Sequence, residues 1–504
     1  MKVLFIYPNL HAQIGFNYGV AYLSAVLKEA GHQTSLINVN EQLAPVPTDD
    51  QLLTRVNSEK PGLIGFSVVT LQFAYALDVA KKIKRAFPHV PTVIGGIHAT
   101  MDPQGCLETG VFDYACVGEG EEALLELVAA LEKGGDAAAI RNIWTTAGGR
   151  IIRNPVRPFT DLSKLPPKDY EVFDFQRMID AKDGWVGLMA SRGCPFRCSY
   201  CFNHRLVSIY ERETGKSGKA LGYIRHHAVD EVIADIKYVL ANYRNVKWFI
   251  FDDDLFTFDG QYVKEFVEKY RAATELPFVA NSHVKFFDHE TAKLLASGNC
   301  RVIKFGLESG SERVRTEVMH RQMSNAEIEK AFAAAHAAGL HTSAFVMMGV
   351  PTETAREMDE TVRLLAKIKP GRFRWAIFFP FVNTDACDFA VEKGCVDFEK
   401  MKAMSNFMDD SCLDFGARQN LKIRKLRVAY PWYVNAHADD PVVRRLYSRL
   451  VRVVDGLDQD AFAAFKPEVA RLDELLHQVL SKAGRVHYSL KYNDFTGVIS
   501  TWSD

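Results

Sequence analysis

The first third of the chain alternates short apolar runs with amphipathic stretches. Apolar runs at 3–7, 35–39, 63–69, 92–97 and 114–118 are separated by helical patterns at 18–30, 73–87 and 121–133. Short buried runs between helices predict a parallel sheet covered on both faces. Ligands of such sheets sit beyond the carboxyl ends of the strands, so the residues after each strand carry the functional information. These are Pro8-Asn9-Leu10-His11, Ser67-Val68-Val69-Thr70-Leu71, Gly95-Gly96-Ile97-His98-Ala99 and Gly118-Glu119-Gly120-Glu121. They are glycine-rich or small and polar, and glycine lets backbone approach a large ligand. The pattern alone predicts a ligand-binding α/β domain of flavodoxin-like type over 1–140. A flavin or a nucleotide phosphate at a helix amino terminus is an alternative occupant. No Gly-x-Gly-x-x-Gly follows the first strand, which weakens a dinucleotide.

Over 141–183 the pattern loosens around Pro155, Pro158, Pro166 and Pro167 and predicts a linker. A strand at 185–190 opens the next region. The polar stretch 205–221 reads as a solvated loop, with a lid over a site as the sharper alternative. Helical periodicity resumes at 228–243, and strands are predicted at 247–252, 278–284, 302–307, 342–350 and 374–381. Six strand–helix units predict a curved parallel sheet, a partial barrel over 184–390, with the chemistry at the mouth where strands end. Helical runs at 441–457 and 467–483 predict a mainly helical carboxyl-terminal region, 391–504, that caps the barrel and shapes the substrate pocket. Arg424, Lys425 and Arg427 precede Tyr430-Pro431-Trp432-Tyr433, and Arg444, Arg445, Arg449 and Arg452 share a helix. This basic run reads as a solvated face, with an anionic substrate or membrane surface as the alternative.

Composition narrows the class. Apolar residues make up 48% of the 504 and charged residues 24%, with a net charge of −1, so nothing global points to nucleic acid. The amino terminus reads as a buried strand rather than a secretion signal. No apolar run approaches the ~20 residues of a membrane span. Nine scattered cysteines make no disulfide scaffold. The expectation is a cytoplasmic protein without a transmembrane segment, compatible with peripheral membrane contact.

The candidate chemistry lies in Ser191-Arg192-Gly193-Cys194-Pro195-Phe196-Arg197-Cys198-Ser199-Tyr200-Cys201-Phe202-Asn203. Cys194, Cys198 and Cys201, spaced Cys-x3-Cys-x2-Cys, offer three soft thiolates for three corners of an iron–sulfur cube, leaving the fourth iron open. Zinc is the alternative, but its sites show paired halves with a fourth ligand at a set distance. Cys106, Cys116 and Cys300 are too far away, His204 too close, and Cys387, Cys395 and Cys412 too widely spaced.

At these residues the sequence resembles the radical S-adenosylmethionine (AdoMet) superfamily, whose signature is Cys-x3-Cys-x-aromatic-Cys, with Tyr200 in the aromatic slot. The resemblance implies a 4Fe-4S cluster on Cys194, Cys198 and Cys201, AdoMet on the open iron, and Tyr200 by the adenine. It also implies AdoMet contacts from Asp252 and Asp253 after the second strand, Ser282 with its neighbour His283 after the third, and Glu308 and Ser309 in Gly306-Leu307-Glu308-Ser309-Gly310. Gly349 and Pro351 complete the set in a Gly-x-Pro turn. Asn383 stands where the family has glycine in a Pro-x-x-Gly-Thr turn. Placed before this signature, Gly65-Phe66-Ser67, Gly95-Gly96-Ile97-His98 and Val117-Gly118-Glu119-Gly120-Glu121 resemble the cobalamin-binding domain of cobalamin-dependent radical AdoMet enzymes. The implied cobalamin contacts are Pro8, Asn9, Ser67, Thr70, Leu71, Gly95, Gly96, His98, Gly118, Glu119, Gly120 and Glu121. Cobalt-ligating domains carry Asp-x-His-x-x-Gly after the first strand. Here Asn9 and Ile14 replace Asp and Gly, so His11 reads as a loop histidine.

The resemblance implies a C-methyltransferase acting on an unactivated carbon, by hydrogen abstraction through a 5'-deoxyadenosyl radical and methyl transfer from methylcobalamin. The alternatives are a cobalamin-dependent oxidative cyclase of the tetrapyrrole type and a redox or cobalamin-sensing protein. Also implied are a small-molecule or lipid-like substrate and an external one-electron reductant of flavodoxin or ferredoxin type. No nucleic-acid partner is expected. Beyond the cofactors, the sequence names no catalytic residue.

Overall fold

The computed structural model describes residues 1–135, 137–404, 406–408, 410–493 and 497–500. The chain divides into two units, Met1–Pro195 with Cys201–Phe249, and Phe196–Tyr200 with Ile250–Asp504. The short segment carrying Cys198 thus belongs to the second unit.

In the first unit, the strands β1 (Lys2–Pro8), β2 (Gln33–Val39), β3 (Leu63–Ser67), β4 (Thr92–Gly95), β5 (Tyr114–Cys116), β6 (Ile143–Ala147) and β7 (Arg150–Ile152) form a sheet in the order β2-β1-β3-β4-β5-β6-β7. The first five pair in parallel, which is the flavodoxin-like order with its switch point between β1 and β3. Leu4, Ile6, Ile64, Phe66 and Ile94 fill the core against Ala76, Val79 and Ala80 of the helix Phe73–Ala86. Alternating small and branched side chains let helix and sheet close without voids.

Two stretches differ from the sequence reading. Residues 143–152, expected in a linker, form the β6–β7 hairpin and extend the sheet antiparallel, with Tyr114 opposite Thr145. Ile143 is buried and the Thr145 hydroxyl donates to the Asp113 carbonyl at 2.9 Å, so the edge gains both apolar and polar contacts. Residues 205–221, expected as loop or lid, lie mostly in the helix Phe202–Thr214 and its cap at Gly215. Val207 and Tyr210 share one face, and Tyr210 stacks on Phe159 with ring centroids 3.9 Å apart. The face is apolar at i and i+3, which a count of lysines and glycines obscures.

Next come β8 (Trp185–Leu188), β9 (Ser191–Arg192), β10 (Arg225–His226) and β11 (Trp248–Phe251). Trp185 stacks on Trp248 at 4.7 Å, aligning β8 beside β11, and β9 pairs antiparallel with β10. In the second unit the sheet continues from β11 through β12 (Phe278–Ser282), β13 (Cys300–Glu308), β14 (His341–Met348) and β15 (Arg372–Ile377) in chain order. Parallel registers join β12 to β13, β13 to β14 and β14 to β15. The six strands β8 and β11–β15 are those read from the sequence, each return between β11 and β15 made through helix as parallel strands require. Beyond 390 the helices Ala417–Asn435, Pro441–Gly456 and Gln459–Lys482 meet the expectation of a helical region. Two strands were not anticipated there: β16 (Tyr488–Asn493) and β17 (Gly497–Ser500), the latter antiparallel against β15. The basic run is also not uniformly solvated. Lys425 is buried and its ammonium caps the carbonyls of Asp455 and Leu457 at the end of a helix, where a cation is favoured. Among the described residues no helix is long and apolar enough to cross a membrane.

Candidate active site

The three cysteines of the motif lie on one loop, Cys198 buried and Cys194 and Cys201 half-buried. Gly193, just before them, has φ +99° and no room for a Cβ against the Tyr223 backbone, so only glycine makes the turn out of β9. Within the second unit, the loop is pinned at Ser199. Its amide donates to Met319 O at 3.0 Å, its hydroxyl to Val318 O at 2.6 Å, and its carbonyl accepts from Ala386 N at 3.0 Å. Val318 and Met319 end a π-type turn closed by Met319 N on Val314 O at 2.9 Å. Such turns recur at functional sites because the extra residue re-aims the chain.

This turn delivers a residue that sequence reasoning missed. Arg321 is 8% exposed, donates from Nη1 to Cys198 Sγ at 3.5 Å, and from Nη2 to Gly306 O at 2.7 Å. Its Nε–H is buried with no partner among the described residues. Glu308, at the end of β13 with φ +66°, is pushed upward by burial, against the pull of Arg321 and of a hydrogen bond with Tyr200. A Cβ at Gly306 would collide with the Glu308 carboxylate and stand 2.9 Å from Arg321 Nη2. Glycine at 306 is therefore required for Glu308 and Arg321 to hold these positions.

The other AdoMet candidates separate into two groups. His283 stacks on Phe196 of the cysteine loop at 3.9 Å, and its Nδ1 accepts from Lys285 N at 3.2 Å. That acceptor role fixes the proton on Nε2, which is buried without a partner among the described residues. Burial first, then Arg321 and Lys285, push His283 down to about 2, so the ring is neutral. Asp253 is buried and its carbonyl accepts from Asn281 Nδ2 at 2.9 Å, whereas Asp252 is exposed. Ser282 shares a 2.6 Å hydrogen bond with Thr257. Gly349 has φ +73°, and its amide and that of Val350 donate to Glu353 Oε2 at 2.7 and 3.2 Å, which shapes the turn through Pro351. Ser309 turns the other way, fully buried between Thr361 and the Ser311 amide. Cys198, Tyr200, Glu308, Arg321 and the Phe196–His283 pair are thus brought together. Ser309 serves the packing behind them.

In the first unit the cobalamin candidates also divide. Val69 and Ile97, just beyond β3 and β4, are 41% and 38% exposed, an apolar lip at the carboxyl end of the sheet. Beside it His98 is buried against Phe73, ring centroids 4.0 Å apart, with Nδ1 3.4 Å from Thr70 Oγ1 and Nε2 unpartnered among the described residues. Burial pushes His98 down to about 4. The Ser67 hydroxyl accepts from Asn17 Nδ2 at 3.0 Å, Asn9 donates to Gln13 O, and Gln72 clasps the backbone of Leu10 beyond Pro8. Thr70 and Leu71 are half-buried beside them. His11 is exposed, 3.8 Å from Glu41. Gly95 has ordinary space for a Cβ, and Gly120 is tight only against Cys116. Gly96 (φ +90°) is needed because a Cβ would meet the Val68 backbone at 2.9 Å, and Gly118 because a Cβ would meet the Tyr210 hydroxyl. These two glycines answer to packing within the protein.

Glu119 and Glu121 are held by arginines. Glu119 accepts from Arg192 at 3.1 Å, from Arg225 at 2.7 and 3.0 Å, and from the Thr160 amide at 2.7 Å, while Glu121 pairs with Arg192 at 2.8 Å. Burial alone would raise Glu119, but the Arg225 and Arg192 guanidiniums reverse it and hold the carboxyl at about 2. These carboxylates tie the Gly118-Glu119-Gly120-Glu121 segment to the paired strands β9 and β10, just ahead of Cys194.

The donor sets fit the groups they would receive. Three closely spaced cysteines, one of them with a buried guanidinium on its sulfur, suit an anionic iron–sulfur cluster. An apolar lip beside a buried imidazole nitrogen without a partner among the described residues suits a large ligand with apolar faces and polar appendages.

The models of two protein families match the chain, the B12 binding domain over residues 11–128 and the radical SAM superfamily over 188–365. The chain carries a B12 binding domain followed by a radical SAM domain. An uncharacterized methyltransferase of Pyrococcus horikoshii is 26% identical over 401 residues, covering 78% of this chain and 83% of that protein. The anaerobic magnesium-protoporphyrin IX monomethyl ester cyclase of Rubrivivax gelatinosus is 26% identical over 434 residues, covering 82% and 75%. Among solved structures, the radical S-adenosylmethionine methyltransferase TsrM of Kitasatospora setae has the same fold, with a TM-score of 0.65 at 17% identity over 96% of this chain and 99% of that one. With these two domains, the radical SAM protein is an enzyme that uses a 4Fe-4S cluster, AdoMet and cobalamin.

Proposed function

We propose that this radical SAM enzyme is a C-methyltransferase acting on an unactivated carbon of a small-molecule or lipid-like substrate. The observation that carries the reading is the order of its parts, a B12-binding domain feeding directly into a Cys-x3-Cys-x2-Cys loop whose central thiol faces a buried arginine. When bound, the cluster supplies the electron that cleaves AdoMet and the cobalamin carries the methyl group to carbon. Cys194, Cys198 and Cys201 would hold the cluster. Tyr200, Glu308, Asp252, Asp253, Ser282, Gly349 and Pro351 would line AdoMet, with His283 offering a neutral N–H. Glu308, which takes a hydrogen bond from Tyr200, has a second oxygen and further lone pairs with which a carboxyl can accept from ligand hydroxyls. Val69, Ile97 and His98 would meet the corrin. An electron-transfer protein of flavodoxin or ferredoxin type would supply the reducing electron, which fits a cytoplasmic setting.

Similarity to the Rubrivivax cyclase, equal in identity to that with the Pyrococcus methyltransferase, supports a second reading, oxidative ring closure with the same cofactors and no methyl transfer. Both readings require cluster chemistry. Cys198→Ala, reconstituted anaerobically, is expected to lose the visible iron–sulfur absorption and more than about 100-fold of 5'-deoxyadenosine formation, as removal of an essential group does. AdoMet cleavage at the wild-type rate in that variant would refute both.

A further inference from the structure

We propose that Arg321 is a positioning residue that sets the reduction potential of the cluster, a proposal that rests on the cluster assignment above. Burying a guanidinium is costly unless its donors are met. Here two are met, by Cys198 Sγ at 3.5 Å and Gly306 O at 2.7 Å, while Nε–H is left without a partner among the described residues. The chain accepts this arrangement and builds around it. The π-type turn at Val314–Val318 and the docking of Ser199 on Val318 and Met319 fix the distance between arginine and thiol. The bare Cα of Gly306 leaves the space for Nη2. Among the described residues no ion pair ties Arg321 to a carboxylate, and Glu308 and Tyr200 act on it through space. His283, which stacks on Phe196 of the cysteine loop and feels the charge of Arg321, is itself neutral.

A fixed cation with an N–H on a ligating sulfur favours the more negatively charged, reduced state of an iron–sulfur cluster. Arg321 therefore makes the cluster easier to reduce. It also supplies one further donor, Nε–H, to an acceptor that arrives only with the loaded site. Neither role changes which bonds form or break.

The test uses the full chain, reconstituted anaerobically without substrate. Iron, sulfide and visible absorption are measured first, and the reduced cluster is then followed by electron paramagnetic resonance during potentiometric titration. Arg321→Gln and Arg321→Met are expected to load iron and sulfide as the wild type does and to titrate at lower potential. At a fixed poise their reduced-to-oxidised ratio should fall about tenfold, which is ~59 mV for one electron. Arg321→Lys, which keeps the charge, should recover part of the shift. A loaded neutral variant at the wild-type potential would overturn the proposal. Where the neutral variants do not load, wild-type protein carrying guanidinium-15N arginine decides: a weak 15N hyperfine coupling to the reduced cluster is expected, and its absence overturns the proposal. A wild-type chain that takes up no cluster overturns the cluster assignment, and this proposal with it.

Discussion

Glu353 shows how a single carboxyl can make stability depend on pH. Burial pushes it up to about 8, against the pull of the Val350 and Gly349 amides on its Oε2. In the unfolded chain the same group ionises near 4.5, the ordinary value for a glutamate. Between these values the folded chain keeps a proton that the unfolded chain gives up. Stability therefore falls as pH rises from about 4.5 to about 8 and levels off above. Glu353→Gln keeps an acceptor for the two amides and cannot ionise. Its apparent unfolding temperature is expected to change less between pH 5 and pH 8 than that of the wild type, measured by scanning calorimetry of the apoprotein, and equal changes would contradict the account. At this scale the three motif cysteines were legible because thiolate chemistry needs one residue type at a set spacing. Arg321 was not. It lies far from Cys198 in sequence, in Met319-His320-Arg321-Gln322, where no periodicity or motif marks it. Only the fold of the preceding turn gives it a partner.

Among elements, the junction between the first sheet and the β9–β10 pair depends on Glu119. Removing its carboxylate leaves Arg192 and Arg225, both largely buried, short of their shared partner, although Glu121 still reaches Arg192 and Thr160 O still reaches Arg225. Glu119→Ala is expected to cost about 3 kcal/mol of stability, in the range for breaking a buried ion pair. Chemical denaturation of the apoprotein checks this, and a loss below about 1 kcal/mol would contradict it. Strands were the most legible elements, since buried parallel strands read as unbroken apolar runs. The β6–β7 hairpin was missed although its signal was present. Gly148-Gly149, with φ +57° and +76°, joins Ile-Trp-Thr-Thr-Ala to Arg-Ile-Ile as a two-residue turn. Pro155, Pro158, Pro166 and Pro167 give the surrounding stretch the composition of a linker. Glycine carries more than one cause: Gly96 and Gly118 admit neighbouring protein atoms, which a sequence motif does not distinguish from approach of a ligand.

For the whole molecule, the order of domains was legible because each carries its own periodicity and motif. The carboxyl-terminal strands β16 and β17 were not, because their partner, β15, lies more than a hundred residues earlier. We propose that this radical SAM enzyme couples two uses of AdoMet, one reductive and one methyl-donating. The most direct measurement is mass spectrometry of anaerobic mixtures of reconstituted protein, hydroxocobalamin, methyl-labelled AdoMet and a strong reductant. The methyltransferase reading predicts 5'-deoxyadenosine together with S-adenosylhomocysteine, and label transferred to the corrinoid. 5'-Deoxyadenosine with neither S-adenosylhomocysteine nor labelled corrinoid would contradict it.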